Sequence, residues 1–216
     1  MIFFLNLKVT LLQWIENVRI ALKYYGNSSF MKADLALLAL YFFENPFSIS
    51  KRFHRLREDP EVYVYGETPV TTFEKIAEES NIKHHDVVYE LGSGRGRIAF
   101  WLATYLECKT VGIEEIPQFV LKANQIVEKQ NIQNLVFKCE NFLETDLTPG
   151  NVFYLYGTCL DDKTIKALAK RFKKGDKVIS VSYPLTDYSN RFKIIKQFPA
   201  KFTWGYGDVT VQECFE

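Results

Sequence analysis

Two carboxylates and a glycine turn are spaced as in a site for a ribose-bearing ligand. The segment 87–96 reads VVYELGSGRG, an apolar run that ends at Glu90 and enters a turn formed by Gly92, Ser93, Gly94 and Gly96. Glu114 closes the next apolar run, TVGIE, about one helix and one strand further along. Glycines at the first turn of a βαβ unit let the backbone approach a ligand, and a carboxylate after the second strand accepts hydrogen bonds from ribose hydroxyls.

The spacing of the turn indicates which cofactor the site suits. A dinucleotide fingerprint has its third glycine, or an alanine, at the position that Arg97 occupies here, and it asks for no acid before the turn. An acid followed by G-x-G-x-G suits S-adenosylmethionine, which carries a cationic amino acid end and no pyrophosphate. We therefore expect Glu90 to contact that end and Glu114 to hold the ribose.

The exit of the third predicted strand supplies two further candidates. Asn141 and Phe142 follow the strand LVFKC, at the edge of an open α/β sheet where ligands bind. We expect Asn141 to lie near the adenine amine and Phe142 to stack on the ring. The alternative for Asn141 is that it only caps a turn.

Composition points to one well-buried domain with a small N-terminal extension. The chain has 216 residues, 47% hydrophobic content and a formal net charge of +1, which excludes a disordered protein and a global attraction to nucleic acid. We place the extension at residues 1–58 and the cofactor-binding domain at residues 59–216. Four widely spaced cysteines without a C-x-x-C pair favour free thiols, no metal site and a cytoplasmic location. They are Cys108, Cys139, Cys159 and Cys214.

The N-terminal extension is predicted to hold two helices, over residues 2–25 and roughly 32–44. The first carries an apolar stripe with helical spacing, made of Leu7, Leu11, Ile15, Val18 and Leu22. Neither helix has an apolar stretch of the roughly 20 residues that a membrane span needs. These helices either cover the apolar flank of the domain, pair with another subunit or lie on a membrane surface.

From residue 60 onward, strand and helix patterns alternate. Thr71 and Glu74 have the spacing of a capping box that opens a helix, and Asp161 is placed to cap a later one. Two strand candidates, near 192–198 and 208–215, end the chain with no helix between them. This order predicts an α/β fold, a Rossmann-like seven-stranded sheet with a C-terminal strand hairpin.

A segment upstream of the glycine turn makes the resemblance to one family specific. Tyr65-Gly66-Glu67-Thr68, followed by ELGSGRGR, VGIE and NFLE in that order, resembles the histone lysine methyltransferases that lack a SET domain. The likeness extends over roughly residues 60–212. It implies that Tyr65, Glu67 and Thr68 contact the methionine portion of S-adenosylmethionine, and that the methyl acceptor is a lysine side chain of a protein. Gly92, Ser93 and Gly94 would form the turn, Glu114 would hold the ribose, and Asn141 with Phe142 would hold the adenine.

The acceptor side departs from that family. Its members end the fourth strand in a pair of asparagines, where this chain has Tyr156-Gly157-Thr158. We expect Tyr156, Tyr183 and Trp204, at or near strand ends, to line the catalytic acceptor channel, or else to serve as core or rim aromatics. An RNA base or small molecule as acceptor, or a cofactor-binding scaffold without acceptor chemistry, are the alternatives. Basic runs occur, but no RNA-recognition module accompanies them.

Overall fold

A computed structural model describes residues 2–57, 65–158 and 160–216, with the side chains of the first helix described from residue 13. The predicted domain boundary between residues 58 and 59 and the predicted free thiol of Cys159 lie outside these residues. The described chain contains seven α-helices and seven strands, and a short 3-10 turn over Leu185–Asp187. The helices are α1 (Ile2–Tyr24), α2 (Ser28–Leu40), α3 (Pro46–Leu56), α4 (Val70–Glu79), α5 (Arg97–Thr104), α6 (Pro117–Gln130) and α7 (Asp162–Ala169). The strands are β1 (Val87–Leu91), β2 (Lys109–Glu114), β3 (Leu135–Cys139), β4 (Val152–Leu155), β5 (Lys177–Val181), β6 (Phe192–Phe202) and β7 (Gly205–Cys214).

The strands form one seven-stranded sheet in the order β3-β2-β1-β4-β5-β7-β6. Strands β1 to β5 are parallel, whereas β7 pairs antiparallel with both β5 and β6. The predicted fold class and C-terminal hairpin are therefore confirmed. Because β2 and β4 flank β1 and the chain winds outward from it in both directions, the carboxyl end of β1 is the switch point where open α/β sheets bind ligands.

The N-terminal helices form a second layer over α5. Every residue of α5 from Ile98 to Thr104 is buried, between the sheet on one side and the helices α1 and α2 on the other. Tyr24 and Phe30 contribute to the same buried cluster as Trp101. Of the three placements left open from the sequence, these described contacts support the one in which the helices cover the flank of the domain.

The face of α1 that packs inward is not the predicted apolar stripe. Ile20 and Tyr24 are fully buried, whereas Val18 is 38% exposed and Leu22 is 84% exposed. The side chains of Leu7 and Leu11 lie outside the described residues. The stripe prediction was wrong in this part of the helix because the inward face follows the aromatic packing of Tyr24 against Phe30 rather than the longest aliphatic repeat.

Two local predictions also change, and a third is confirmed. The helix predicted over roughly 32–44 spans Ser28–Leu40, and α3 was not predicted at all. The capping box was wrong: Thr71 donates its backbone N–H to Glu16 Oε1 of α1 (3.1 Å), and α4 begins after Pro69 without a side-chain cap. The prediction for Asp161 is confirmed, because its Oδ1 accepts a hydrogen bond from the Thr164 N–H (2.6 Å).

Candidate functional site

The glycine turn joins β1 to α5 at the switch point of the sheet. Gly92, Gly94 and Gly96 have φ angles of 81°, 54° and 85°, in the left-handed region that favours glycine. The Gly92 and Ser93 N–H groups both donate to the Ile113 carbonyl at 2.9 Å, which fastens the turn to β2. The predicted turn is therefore held at the edge of the sheet where a ligand would bind.

Two of these glycines are required by close neighbours. A Cβ on Gly94 would lie 2.9 Å from Cε2 of Tyr65, and a Cβ on Gly96 would lie 2.4 Å from the ring of Phe137. Gly94 thus makes room for the Tyr65 segment. Gly96 makes room for core packing, and it is not among the residues that line the cavity beside the turn. Its predicted contact with the cofactor stays a prediction.

The Tyr65-Gly66-Glu67-Thr68 segment lies against the glycine turn. The Tyr65 hydroxyl donates to Glu67, and Arg95 of the turn forms a bidentate ion pair with Glu67, in which Nη2 lies 2.7 Å from Oε2. Burial alone would raise the pKa of Glu67, but the charge and hydrogen bonds of Arg95 outweigh it and lower that pKa. Thr68 is hydrogen-bonded to the Tyr154 hydroxyl at the end of β4. The segment therefore connects the turn with the fourth strand.

Glu90 is a buried carboxyl group with an unsatisfied oxygen. Its residue is 6% exposed, and its Oε2 has no hydrogen-bond partner among the described residues. Burial and the nearby charges of Glu67 and Glu114 raise its pKa well above the usual range, against a hydrogen bond from the Ala99 backbone. The Ser93 Oγ is likewise buried without a partner in the described chain. Unsatisfied buried polar groups are costly, so two of them beside one turn indicate a ligand site.

Glu114 holds the glycine turn with its carboxylate. Oε2 accepts from the Gly94 N–H at 2.7 Å, and Oε1 accepts from the Ile116 N–H at 2.9 Å. Burial raises the pKa of Glu114 although these backbone hydrogen bonds oppose it. A carboxylate can accept about four hydrogen bonds, so acceptor capacity remains for a ribose hydroxyl.

The cavity beside the turn is lined by most of the predicted cofactor residues. Its free volume is about 20 Å³, far below the several hundred Å³ that small-molecule sites occupy. The lining fits the amino acid end of S-adenosylmethionine in its chemistry, since it offers the unpaired Glu90 oxygen, the unpaired Ser93 hydroxyl and open glycine backbone. The lining residues are Gly66, Glu67, Thr68, Glu90, Gly92, Ser93, Gly94, Arg97, Ile98, Tyr154 and Tyr156.

Asn141 and Phe142 lie after β3, outside this cavity. The Asn141 Oδ1 accepts from the Leu143 N–H at 2.8 Å, so its side chain does organise a turn, as the alternative reading held. Phe142 is half-buried and packs beside a core cluster on the other face of the sheet. Their contact with adenine stays a prediction.

The three candidate acceptor residues do not come together. Tyr156 lines the cavity, and its hydroxyl accepts from the Trp204 Nε1–H at 2.6 Å. Trp204 is 53% exposed and stacks on Phe202 with ring centroids 5.4 Å apart. Tyr183 is half-buried against the core cluster that contains Phe172 and Leu185, and it does not line the cavity. Tyr156 and Trp204 therefore form one aromatic unit, and Tyr183 belongs to another part of the molecule.

Sequence reasoning missed three residues of the site. Arg95 pairs with Glu67, Tyr154 hydrogen-bonds Thr68, and Arg97 lines the cavity. The two arginines stand within the G-R-G-R of the turn, so an excess of positive charge beside Glu90 was a visible signal. Tyr154 gave no such signal, because an aromatic residue in an apolar strand is expected to lie in the core.

The sheet order and the turn define the class I S-adenosylmethionine-dependent methyltransferase fold. A solved structure with a similar fold is an RNA methyltransferase from Salinibacter ruber in complex with S-adenosyl-L-homocysteine. It has a TM-score of 0.57 and 22% identity, and the match covers 69% of this chain and 94% of that one. At that identity the likeness concerns the fold.

The resemblance expected from the sequence is confirmed over part of the chain. A family model described as "Histone methylation protein DOT1" matches residues 48–143. A histone-lysine N-methyltransferase, H3 lysine-79 specific, from Dictyostelium discoideum is 29% identical over 139 residues, which are 55% of this chain and 7% of that protein. A protein-lysine N-methyltransferase from Saccharolobus islandicus is 26% identical over 135 residues, 61% of this chain and 83% of that protein. The family match ends before β4, so it includes the glycine turn and leaves out Tyr156 and Trp204.

Proposed function

We propose that this chain is an S-adenosylmethionine-dependent methyltransferase that methylates a lysine side chain of a protein. The observation that carries the proposal is the position of Tyr65-Gly66-Glu67-Thr68, which lies on the glycine turn beside the unpaired Glu90 carboxyl group. This element distinguishes the lysine methyltransferases that the chain resembles from the wider fold class. The names of the two relatives above, which both modify lysine, support the same acceptor.

The role that we propose for each residue follows from the chemistry of its side chain. Bound S-adenosylmethionine would supply an electrophilic methyl group on a sulfonium. Glu90 and Thr68 would hold the amino acid end, Glu114 the ribose, and Asn141 with Phe142 the adenine. The protein needs no acid for the leaving group, because the thioether departs neutral. Holding acceptor and donor in line supplies about 7–11 kcal/mol of barrier reduction.

Tyr156 and Trp204 would form the acceptor side. An amine must be unprotonated to act as a nucleophile, and burial against aromatic rings lowers its pKa by disfavouring the charged form. The Tyr156 hydroxyl, which accepts from Trp204, borders both the cavity and the half-exposed Trp204 ring. An extended lysine side chain entering past Trp204 would meet this pair before reaching the cavity.

A label-transfer experiment tests the acceptor class. The protein is incubated with tritiated S-adenosylmethionine and cell lysate, and the products are divided by protease and by nuclease treatment. Label that protease releases, and that amino acid analysis recovers as methyl-lysine, is expected. Label in nuclease-sensitive material would replace the proposal with an RNA methyltransferase, and no label at all would favour a cofactor-binding scaffold. Glu114→Ala is the cofactor-site variant, and Glu128→Ala, an exposed acid on α6, is its matched control.

We further propose a cytoplasmic location. The described cysteines Cys108, Cys139 and Cys214 are free, which suits a reducing compartment. In the described part of the chain, no helix has the length and apolar character to cross a membrane. Fractionation of cells that express a tagged chain is the test, and recovery of the protein in an oxidising compartment would contradict the proposal.

A further inference from the structure

Arg97, the first residue of α5, lines the cavity and is held by the N-terminal helices. Its Nε donates to Asp34 Oδ1 at 2.7 Å and its Nη2 donates to Asp34 Oδ2 at 2.9 Å. Its Nη1 donates to Asn17 Oδ1 at 2.9 Å. A guanidinium has five N–H donors, so these contacts use three and leave two.

The anchor of this arginine is deeply buried. Asp34 is 0% exposed, and the Tyr25 hydroxyl also donates to its Oδ2 at 2.9 Å. Apolar residues of similar size often stabilise a buried position as well as an ion pair does. Packing alone therefore does not require the Arg97–Asp34 ion pair. The cation of this pair, Arg97, also borders the cavity. The pair with Asp34 fixes the orientation of the Arg97 guanidinium.

The residues that line the cavity offer one acceptor and one donor group to a zwitterionic ligand. Among the described residues that line it, Arg97 is the only cation. Glu67 is already paired with Arg95, and Glu90 Oε2 has no partner in the described chain. An ammonium group would satisfy Glu90, and a carboxylate would accept the two remaining donors of Arg97.

We propose that Arg97, positioned by Asp34 and Asn17, binds the α-carboxylate at the methionine end of the cofactor, opposite Glu90, which binds the ammonium group. The inference rests on the proposed function and adds a role for the N-terminal extension. The helices α1 and α2 complete the cofactor site through Asn17 and Asp34, so that the layer covering α5 sets cofactor affinity.

Two ligands that differ only in the amino acid end give the test. S-adenosylhomocysteine carries the ammonium and carboxylate groups, and 5′-methylthioadenosine lacks both. Calorimetry on Arg97→Met is expected to show a loss of about 10- to 100-fold in affinity for S-adenosylhomocysteine, the value of a hydrogen bond to a charged group. The affinity for 5′-methylthioadenosine is expected to stay within about threefold. A matched control is Lys32→Met, an exposed cation on α2, which should change neither.

Arg97→Met leaves Asp34 buried and unpaired, so a second variant keeps the test decisive. The double variant Asp34→Leu with Arg97→Met removes both charges, and it is expected to fold and to show the same ligand-selective loss. Asp34→Asn keeps the shape but not the charge, and we expect a smaller loss confined to S-adenosylhomocysteine. Wild-type affinity of the double variant for S-adenosylhomocysteine, or an equal loss for both ligands, would overturn the inference. If the wild type binds neither ligand, the proposed function itself is overturned.

A separate observation concerns the surface at the start of α3. Phe42 and Phe43 are 77% and 95% exposed, with ring centroids 4.8 Å apart. Phe47, Lys51 and Arg55 follow at four-residue spacing, so they share the outward face of α3. We call these five residues the aromatic-basic surface.

The two cations of this surface have no ion-pair partner in the part of the chain that the structure describes. Lys51 and Arg55 have no ion pair with any described residue, while the nearby Arg57 pairs with Glu115 at 3.1 Å. Exposed aromatic rings beside unpaired cations match the interface of a bilayer with anionic lipids, where rings enter the headgroup layer and cations meet phosphate. Charge complementarity favours an anionic membrane over a second copy of the chain, because a second copy would bring like charges together.

We infer that the aromatic-basic surface docks on an anionic membrane. Vesicle sedimentation should show binding to phosphatidylcholine with about a third phosphatidylserine and little to phosphatidylcholine alone. Each cation near such a surface contributes about fivefold, so Lys51→Glu with Arg55→Glu should weaken binding by at least about 25-fold. Phe42→Ser with Phe43→Ser should abolish it.

The controls separate membrane docking from the other occupants. Lys109→Glu with Lys129→Glu, two exposed lysines on β2 and α6, should keep vesicle binding. Equal binding to neutral vesicles would overturn the inference. So would a dimer in sedimentation analysis that the Phe42 and Phe43 variant dissolves, or stronger binding of the same surface to RNA.

Discussion

Glu90→Gln tests whether the buried carboxyl group is retained for a ligand rather than for stability. The side chain is buried and its Oε2 has no partner in the described chain. Burial raises its pKa above the unfolded value. The folded protein therefore binds this proton more tightly than the unfolded chain does. Its stability falls as the pH rises from the unfolded pKa toward the folded one. At neutral pH and above, Glu90 is destabilising.

The expected gain follows from the cost of that charge. An unsatisfied buried polar group costs about 1–3 kcal/mol, and more if it is charged. Glutamine keeps the shape and removes the charge, so Glu90→Gln should raise the free energy of unfolding by about 1–3 kcal/mol at about pH 8. With urea slopes of about 1–3 kcal/mol/M, the unfolding midpoint should rise by about 1 M. The gain should shrink as the pH falls from the raised folded-state pKa toward the unfolded one, because both states then hold the proton.

The same variant should lose ligand affinity as it gains stability. We expect binding of S-adenosylhomocysteine to weaken by about 10- to 100-fold, because a charged partner of its ammonium group is lost. Binding of 5′-methylthioadenosine should be unchanged. Glu128→Gln, an exposed acid on α6, should alter neither stability nor binding. A loss of stability at pH 8 would refute the reasoning, since it would mean that the carboxylate is satisfied in the folded protein. Unchanged binding of S-adenosylhomocysteine would refute the ligand assignment.

Two further predictions concern the acceptor side and the turn. Trp204→Phe removes the donor to Tyr156, and methyl transfer to a protein substrate should slow while calorimetry finds the cofactor affinity unchanged; an equal loss of both would place Trp204 in the cofactor site. Gly96→Ala should destabilise the fold by more than about 3 kcal/mol in urea unfolding, because its Cβ meets the Phe137 ring and its φ is positive. Gly92→Ala meets no atom within 4 Å and should cost only about 1 kcal/mol, from its backbone conformation. Equal costs at the two positions would show that packing at Phe137 does not matter.

The sheet and the turn were predictable because local pattern and tertiary structure agree there. Apolar runs ending at Glu90 and Glu114 become neighbouring parallel strands, with Glu90 in register with Gly112. The N-terminal layer was not predictable to the same degree. Thr71 has the sequence of a helix cap, but Glu16 of α1 takes its N–H instead. A carboxylate that arrives from 55 residues away leaves no local signal.

The residues of the site also divide into those that local sequence predicts and those that it does not. Glu90 and Glu114 were predicted from the pattern, because an acid before a glycine turn and an acid closing the next apolar run are visible in sequence. Glu67 was expected only from the resemblance to a family. Arg97 was singled out only as a residue that is not glycine, and its place in the site depends on Asp34, 63 residues earlier. The spacing of residues along the chain indicates which ligand a turn can bind. The partners that orient the side chains of the turn come from elements that are distant in sequence and pack against it.

The proposed donor and acceptor parts of the site come from different stretches of the chain. The family match covers the glycine turn and ends at residue 143, whereas Tyr156 follows β4 and Trp204 lies in the turn between β6 and β7. The β6–β7 hairpin contacts the cavity through the hydrogen bond from Trp204 to Tyr156, and not through the glycine turn. If Tyr156 and Trp204 form the acceptor side, changes in this hairpin should alter the acceptor without disturbing Glu90 or Glu114. This arrangement explains why the sequence indicates the cofactor more firmly than the substrate. The proposed acceptor residues Tyr156 and Trp204 both lie beyond the residues that the family model matches.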